Sequence, residues 1–254
     1  MTALPTTSIA EALNRDCVCQ TLDAERLQQQ WQADPALSSV NESILTQRPH
    51  LFSATSVFIS QAQYQQMQAL VSAVEQVVDL PAYRQTVLDD APAIAQQAKP
   101  TRGVFLGYDF HLSPEGVRLI EINTNAGGAL LNTFLARAQT ACCQDMAWAS
   151  AANLQLANLE QTFFAMFSQE WQRQRGTQPL RQIAIIDDEP NNQYLCPEFQ
   201  LFQQLFQSFG MQAVVIDASE LIWRDGKLWA DERPIDLVYN RLTDFYLEDT
   251  AHQA

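Results

Sequence analysis

The first half of the chain is rich in polar, largely Gln, positions, with apolar residues recurring every three to four. Leu13, Cys17 and the run from Leu27 to Trp31 keep this spacing across residues 11–47, which predicts helix, broken at Asp34-Pro35. Residues 61–79 repeat it with Met67, Leu70, Val71, Val74 and Val78, a 3.6-residue stripe closed by Pro81. Between them, residues 51–60 (LFSATSVFIS) are β-branched and aromatic and read as a strand. A short helix is expected over 83–97, interrupted at Pro92. A long helical region follows over 129–175, with Asn132 as its expected cap and Gly176 marking its end. Trp148, Ala152, Leu156, Leu159, Phe163, Met166 and Phe167 share one face of it, a stripe read as core.

From residue 182 the pattern changes to continuous apolar runs at 183–187 and 213–217, with a helix expected over 197–209 between them. This is a βαβ unit with parallel strands. Residues 223–229 read as a hairpin turning on Asp225-Gly226, and 235–240 as a third apolar strand. The fold class expected is therefore α/β. An α+β N-terminal part, residues 1–178, holds long helices and an antiparallel hairpin. A small parallel, Rossmann-like α/β subdomain, residues 179–254, follows it.

The hairpin is the sharpest segment, GVFLGYDFHLSPEGVRLIEIN over 103–123. Two alternating runs flank Ser-Pro-Glu-Gly, in which Pro114 suits the second position of a type I turn and Gly116 the left-handed position after it. That turn sets Ser113 opposite Val117, His111 opposite Leu119 and Asp109 opposite Glu121. One face then carries Gly107, Asp109, His111, Leu119, Glu121 and Asn123. The other carries Tyr108, Phe110, Leu112, Arg118, Ile120 and Ile122 and is expected to face the core. Two carboxylates directly across a strand pair repel each other. A hard divalent cation relieves this, since Mg²⁺ takes one or two carboxylates and fills its shell with water and phosphate oxygens. A solvated polar face is the competing reading.

Composition narrows the field. With 29 acidic against 15 basic residues, a net charge of -14 and only Lys99 and Lys227 as lysines, the chain is not expected to bind nucleic acid or an anionic membrane surface. The N-terminal residues read as neither a signal peptide nor a membrane anchor, and a cytoplasmic location is expected. The five cysteines, at 17, 19, 142, 143 and 196, form neither a disulfide framework nor a zinc pattern and read as reduced thiols. The histidines at 50, 111 and 252 have no nucleophile beside them in sequence.

Gly-Tyr-Asp-Phe at 107–110 and Ile-Glu-Ile-Asn-Thr at 120–124 resemble the metal-binding end of the ATP-grasp ligases, in the circularly permuted order of the glutathione synthetase and glutathionylspermidine synthetase type. The resemblance covers residues 100–248. It implies Asp109, Glu121 and Asn123 as ligands of Mg²⁺ on the nucleotide phosphates, and Asn125, Gly127 and Gly128 as part of the loop at the ATP cofactor. Gly107 stands where many members carry an Arg. The activity implied is ATP-dependent joining of a small-molecule carboxylate to an amine through an acyl phosphate. The lysine-bearing nucleotide grip of that family has no match in this chain and is expected in a further C-terminal ATP-grasp part. The present chain is therefore read as an incomplete ATP-grasp architecture, unable to turn over ATP alone. A non-catalytic divalent-metal or partner-binding module, and a stand-alone α/β small-molecule binder, are the alternatives.

The carboxyl ends of the parallel strands form the second candidate region, because ligands bind at that edge of open α/β sheets. Asp187, Asp188 and Asn191 follow the first strand, and Asn240 and Arg241 end the third. These are the candidate substrate-binding residues, against the alternative of an ordinary charged loop. Arg241 suits a bidentate carboxylate clamp or a salt bridge with Asp244. Glu198, in the first turn of its helix, suits the helix dipole there.

Overall fold

A computed structural model of the chain describes residues 9–16, 22–37, 47–93, 95–97, 99–113, 115–139 and 158–252. The helices among them are α1 (Ile9–Asp16), α2 (Ala24–Ala33), α3 (Gln61–Val78), α4 (Pro81–Asp89), α5 (Ala129–Ala138), α6 (Leu159–Arg175) and α7 (Cys196–Ser208). The strands are β1 (Gly107–Ser113), β2 (Gly116–Asn123), β3 (Gln182–Asp187), β4 (Gln212–Asp217), β5 (Ile222–Arg224), β6 (Lys227–Ala230), β7 (Arg233–Pro234) and β8 (Leu237–Asn240). The protein is thus of mixed α/β class. No helix among the described residues is long and apolar enough to cross a membrane. Cys17, Cys19, Cys142, Cys143, Pro114, Trp148, Ala152 and Leu156 lie outside the described residues.

The chain divides into two compact units, each assembled from several segments. One comprises Met1–Leu22, Ser53–Ala98 and Phe105–Ala126, the other Asp23–Phe52, Lys99–Val104 and Gly127–Ala254. Residues 1–178 thus contribute to both, and the residues on either side of the expected boundary at 178/179 share one unit.

In the first unit, α3 starts at a capping box. The Ser60 hydroxyl accepts from the Gln63 amide, and the Gln63 side chain accepts from the Ser60 amide. Met67, Leu70, Val71 and Val74 of the predicted stripe are half-buried, whereas Val78 at its end is exposed, and α3 packs against β2. Residues 51–60 form no strand. Ser53 and Thr55 bond to each other locally, and the Asn14 side chain takes both the amide and the carbonyl of Phe58, at 2.7 Å each. A side-chain amide thus replaces the partner strand, and Val57 and Ile59 stay exposed.

β1 and β2 pair antiparallel with Asp109 opposite Glu121, as expected, but the register shifts between Asp109 and Phe110. Phe110 pairs with Leu119, His111 with Arg118 and Leu112 with Val117, which leaves Ile120 as the extra residue of a β-bulge. The expected pairs of His111 with Leu119 and Ser113 with Val117 are each off by one. Leu119 therefore joins Tyr108, Phe110 and Leu112 on the half-buried face, and Arg118 moves to the face of Asp109 and Glu121. Ile120 and Ile122 are 65% and 38% exposed, so the apolar face is only partly a core face. Gly116 takes φ +122° in the turn, the left-handed conformation that its position requires.

In the second unit, β3 is the central strand of a parallel sheet ordered β4-β3-β8 and is buried along its whole length. Alternate residues serve two layers. Ala184 and Ile186 pack with Ile216, Leu221, Ala230 and Leu242 on the side of the small antiparallel sheet β5-β6-β7. Helices α6 and α7 bring Phe167, Phe202 and Phe206 together with Tyr239, edge to face at centroid separations of 4.9–5.8 Å. The β5–β6 turn has both Asp225 and Gly226 at positive φ, the expected type I′ geometry. The helical region expected over 129–175 includes α5 and α6. Asn132 is not its cap, because Gly128, at φ +91°, precedes the first turn.

Phe202 is fully buried at the centre of this aromatic group. Phe202→Ala is expected to destabilise the second unit by about 3–5 kcal/mol, the usual cost of such a cavity. Urea unfolding followed by tryptophan fluorescence measures it, and a loss below about 1 kcal/mol contradicts this packing.

Candidate functional site

In the first unit, the bulge, the turn and the cross-strand pairing place Asp109, Glu121 and Asn123 on one hairpin face. Asp109 and Glu121 are exposed and directly opposite, and Asn123 is half-buried. The Asn123 Nδ2 donates to Asp109 Oδ2 at 3.3 Å, the one side-chain bond joining these three residues. Neither carboxylate has an ion pair among the described residues. His111 and Arg118, both exposed, continue the same face past the bulge. Arg118 is the member that sequence reasoning placed on the wrong side. The signal for it is the apolar doublet Leu119-Ile120, which breaks an otherwise strict alternation. Gly107 faces Asn123, and a Cβ there would lie 3.2 Å from the Ala126 Cβ. The Ala126 amide donates to the Phe105 carbonyl at 3.3 Å, so Gly107 is where the outgoing chain passes close to β1. Asn125 lies in this same segment, half-buried.

No group of three or more His, Cys, Asp or Glu side chains among the described residues is arranged to hold a metal ion. The donor set on the hairpin is smaller: two carboxylates and an amide. It suits Mg²⁺, which accepts one or two carboxylates and fills its remaining positions with water or phosphate oxygens.

In the second unit, Asp187, Asp188, Asn240 and Arg241 meet at the carboxyl edge of the parallel sheet. Asp187 ends β3 opposite Asp217 of β4, and Asn240 ends β8 opposite Ile186. The Arg241 amide donates to the Ile186 carbonyl at 2.9 Å, which extends the β8 pairing by one residue. The Asn240 Oδ1 accepts from the Leu242 amide at 2.9 Å, so this side chain shapes the turn after β8. Asn191 is exposed in the loop after β3.

Arg241 is buried, with its guanidinium over the Tyr239 ring at 5.4 Å, and its charge acts on Glu198 and Asp187. Asp244, the salt-bridge partner weighed for it, is engaged elsewhere, with His252 and the amides of Glu248 and Asp249. Gly127 makes room for the arginine. A Cβ there would fall 2.8 Å from Arg241 Nη2 and 2.6 Å from Leu195 Cδ1.

Glu198 is the residue whose role the sequence hid. It sits in the first turn of α7, yet its carboxylate, 1% exposed, accepts from the amides of Leu130 at 3.2 Å and Leu131 at 3.1 Å. It therefore caps α5, a helix whose own cap residue is Gly128 and has no side chain to offer. The amides just past Gly127 and Gly128 are thus occupied by a carboxylate of the same chain. Burial pushes the Glu198 carboxyl above its ordinary range, with the α5 amides and Arg241 pulling the other way. Burial also raises Asp187, against the Asp188 amide and Arg241, while Asp188 and Asp217 add to the rise.

Away from this edge, a cavity of about 250 Å³ is lined by Leu130, Phe134, Leu201 and Leu205, with Asp34 and Glu160 also on its wall. It includes none of the sequence-predicted residues. Comparison with models of known families, with curated proteins and with solved structures gives no match to this chain.

Glu198→Ala removes the acceptor for buried α5 amides and is expected to cost about 1–3 kcal/mol, with Glu198→Gln, which keeps an acceptor, costing less. The raised carboxyl holds its proton longer folded than unfolded, so its contribution to stability falls as pH rises through its folded pKa. Urea melts between pH 4 and 8 test this: the glutamine variant is expected to lose that part of the pH dependence.

Proposed function

We propose that the chain carries the metal-binding hairpin and the α/β substrate edge of an ATP- and Mg²⁺-dependent carboxylate–amine ligase. The observation that supports this reading is the Asp109–Glu121 pair. The two carboxylates face each other across the strands, exposed and without an ion pair among the described residues, and Asn123 adjoins them. Such a pair destabilises a hairpin unless a ligand uses it. In the proposed reaction, the γ-phosphoryl group of ATP passes to an oxygen of the substrate carboxylate, giving an acyl phosphate and ADP. The amine then attacks the acyl carbon, phosphate leaves, and an amide forms. Mg²⁺, held by Asp109, Glu121 and Asn123, would supply positive charge to the phosphate oxygens. Asn123 orients the Asp109 carboxylate through its Nδ2 bond, and Arg118 adds a cation to the same face. At the sheet edge, Asp188 and Asn240 would contact the small-molecule substrate. Arg241 would hold the charge balance behind them, because its charge acts on both Glu198 and Asp187.

Mn²⁺ serves as a spectroscopic probe of the hairpin. Titration in the presence of ATP is expected to show one class of site by electron paramagnetic resonance. Asp109→Asn and Glu121→Gln are each expected to weaken it at least tenfold. In metal-free buffer, Glu121→Gln is expected to raise stability by about 0.2–1 kcal/mol, because it removes the like-charge pair. Unchanged Mn²⁺ affinity in both variants would sink the reading.

A further inference from the structure

Three loops carrying carboxylates leave the same edge of the parallel sheet: Asp188 follows β3, Asp217 ends β4, and Asp244 lies in the segment after β8. A short 3-10 turn, Thr250–His252, brings the chain back to this edge. His252 Nε2 lies 2.7 Å from Asp188 Oδ1, and its Nδ1 lies 2.7 Å from Asp244 Oδ2. Its side chain is 3% exposed. The turn is braced from within. The Asp244 carboxylate also accepts from the amides of Glu248 at 3.1 Å and Asp249 at 2.9 Å, and the Asp249 carbonyl accepts from the His252 amide at 3.0 Å.

The 3-10 segment Ala218–Glu220 packs against this turn. There the Asp217 carboxylate accepts from the amides of Glu189 at 2.7 Å and Ser219 at 2.9 Å, and Glu220 accepts from the Asp217 amide. Among the described residues, the charged groups on the elements around His252 are Asp188 and Glu189 from the loop after β3, Asp217 and Glu220 from the end of β4 and the segment after it, and Asp244, Glu248 and Asp249 from its own strap. All are acidic. Arg241, the cation at this edge, acts on Glu198 and Asp187 instead.

We infer that the His252 imidazolium is a clasp that closes residues 241–252 as a strap across the carboxyl edge of the sheet, and that opening the clasp uncovers this edge. The chemistry follows from donor count. A neutral imidazole has one donor and one acceptor nitrogen, whereas the cation has two donors. Two carboxylates, one at each ring nitrogen, can both be satisfied only by the cation. Loss of the proton turns a lone pair toward Asp188 or Asp244, and the strap loses one of its two ties. The hydrogen bonds it donates to Asp188 and then Asp244 raise His252 to about 9, and the Asp249 amide, with His252 next, lowers Asp244 to about 2. The sign is then fixed. The His252 contribution is complete below pH 6.5 and is lost as pH rises through about 9. The Asp244 contribution is complete above pH 3.8 and is lost as pH falls through about 2. The inference stands apart from the ligase reading, because it concerns the strap whatever the edge binds.

Hydrogen–deuterium exchange of peptides spanning 241–252, corrected for intrinsic rates, tests it on the full chain, with the His252 ring followed by NMR. The wild type is expected to protect the strap at pH 7 and to lose protection at least tenfold by pH 10, while β3 peptides stay protected. His252→Gln is expected to show the same loss at pH 7 and little further change at pH 10. Should that variant fail to fold, Asp188→Asn provides the second reading: it keeps the fold's interior and is expected to lower the His252 midpoint by at least one pH unit. A His252 midpoint near 6.5 in the wild type, or a strap whose protection neither pH nor either substitution alters, overturns the inference.

Discussion

A buried carboxylate ties the second unit together. Glu198 rises from the first turn of α7, which lies on the parallel sheet, and accepts from the open amides at the start of α5. Burial raises this carboxyl, and the α5 amides, with Arg241 at the end of β8 after them, pull the other way. Two helices distant in sequence, at 129–138 and 196–208, are thereby tied by one buried carboxyl, and the charge of Arg241, at the end of β8, acts on it. A helix start without a side-chain cap needs an external acceptor, and a buried carboxylate needs donors. Each requirement is met by the other, so neither half tolerates loss of its partner. Gly127 belongs to the same arrangement, because any larger residue would press on the guanidinium that completes it.

The sheet edge inherits its character from this cluster. Arg241 is directed inward, which leaves the outer part of the edge to carboxylates. Asp217 and Asp244 are held in their ionised forms by backbone amides and by a hydroxyl or an imidazole. Asp187, more deeply placed, is pushed the other way by burial. The result is a graded edge: a carboxyl of raised pKa at the base, and ionised carboxylates fixed in turns above it. Each turn is built from an Asp or Asn side chain accepting from amides a few residues away, at Asp217, Asn240 and Asp244. Local chemistry of this kind gives loops a defined shape, on which any ligand contact at such an edge relies.

The parallel strands, their helix and the type I′ hairpin were legible because continuous apolar runs and Asp-Gly are local signals with one reading each. The strand expected at 51–60 failed for a non-local reason: β-branched residues form a strand only with a partner, and Asn14 occupies the bonds that a partner would use. In the hairpin, Asp109 opposite Glu121 was legible from turn chemistry, but only because two departures between it and the turn cancel. The register near the turn is one residue off, and the bulge at Ile120 restores it at the carboxylates. A strict period of two cannot register an inserted residue, although Leu119-Ile120 marks the place. Glu198 was illegible in principle, since no local pattern tells which helix a carboxylate caps. His252 carries no local signal of its role either. Its two carboxylate partners lie 8 and 64 positions away, and nothing in the segment itself announces them.

The acidic excess of the chain looks uniform in the composition, but its members are treated in three ways. Glu198 and Asp244 are satisfied by backbone amides, with a cation close by. Asp188 is tied to His252. Asp109 and Glu121 are treated in neither manner: they are opposed, exposed and without an ion pair among the described residues, and the weak donor of Asn123 reaches Asp109. Elsewhere in the described chain, the fold supplies donors to carboxylates brought into proximity. On the hairpin it brings two together and supplies almost none. Exposure to water lowers the cost of such a pair but does not remove the repulsion between residues locked opposite each other. The contrast between these sites, rather than the acidity of any one of them, is the physical reason to propose a cationic ligand at the hairpin and not at the sheet edge. At the edge the positive charge is already built into the chain, as Arg241 below and His252 above.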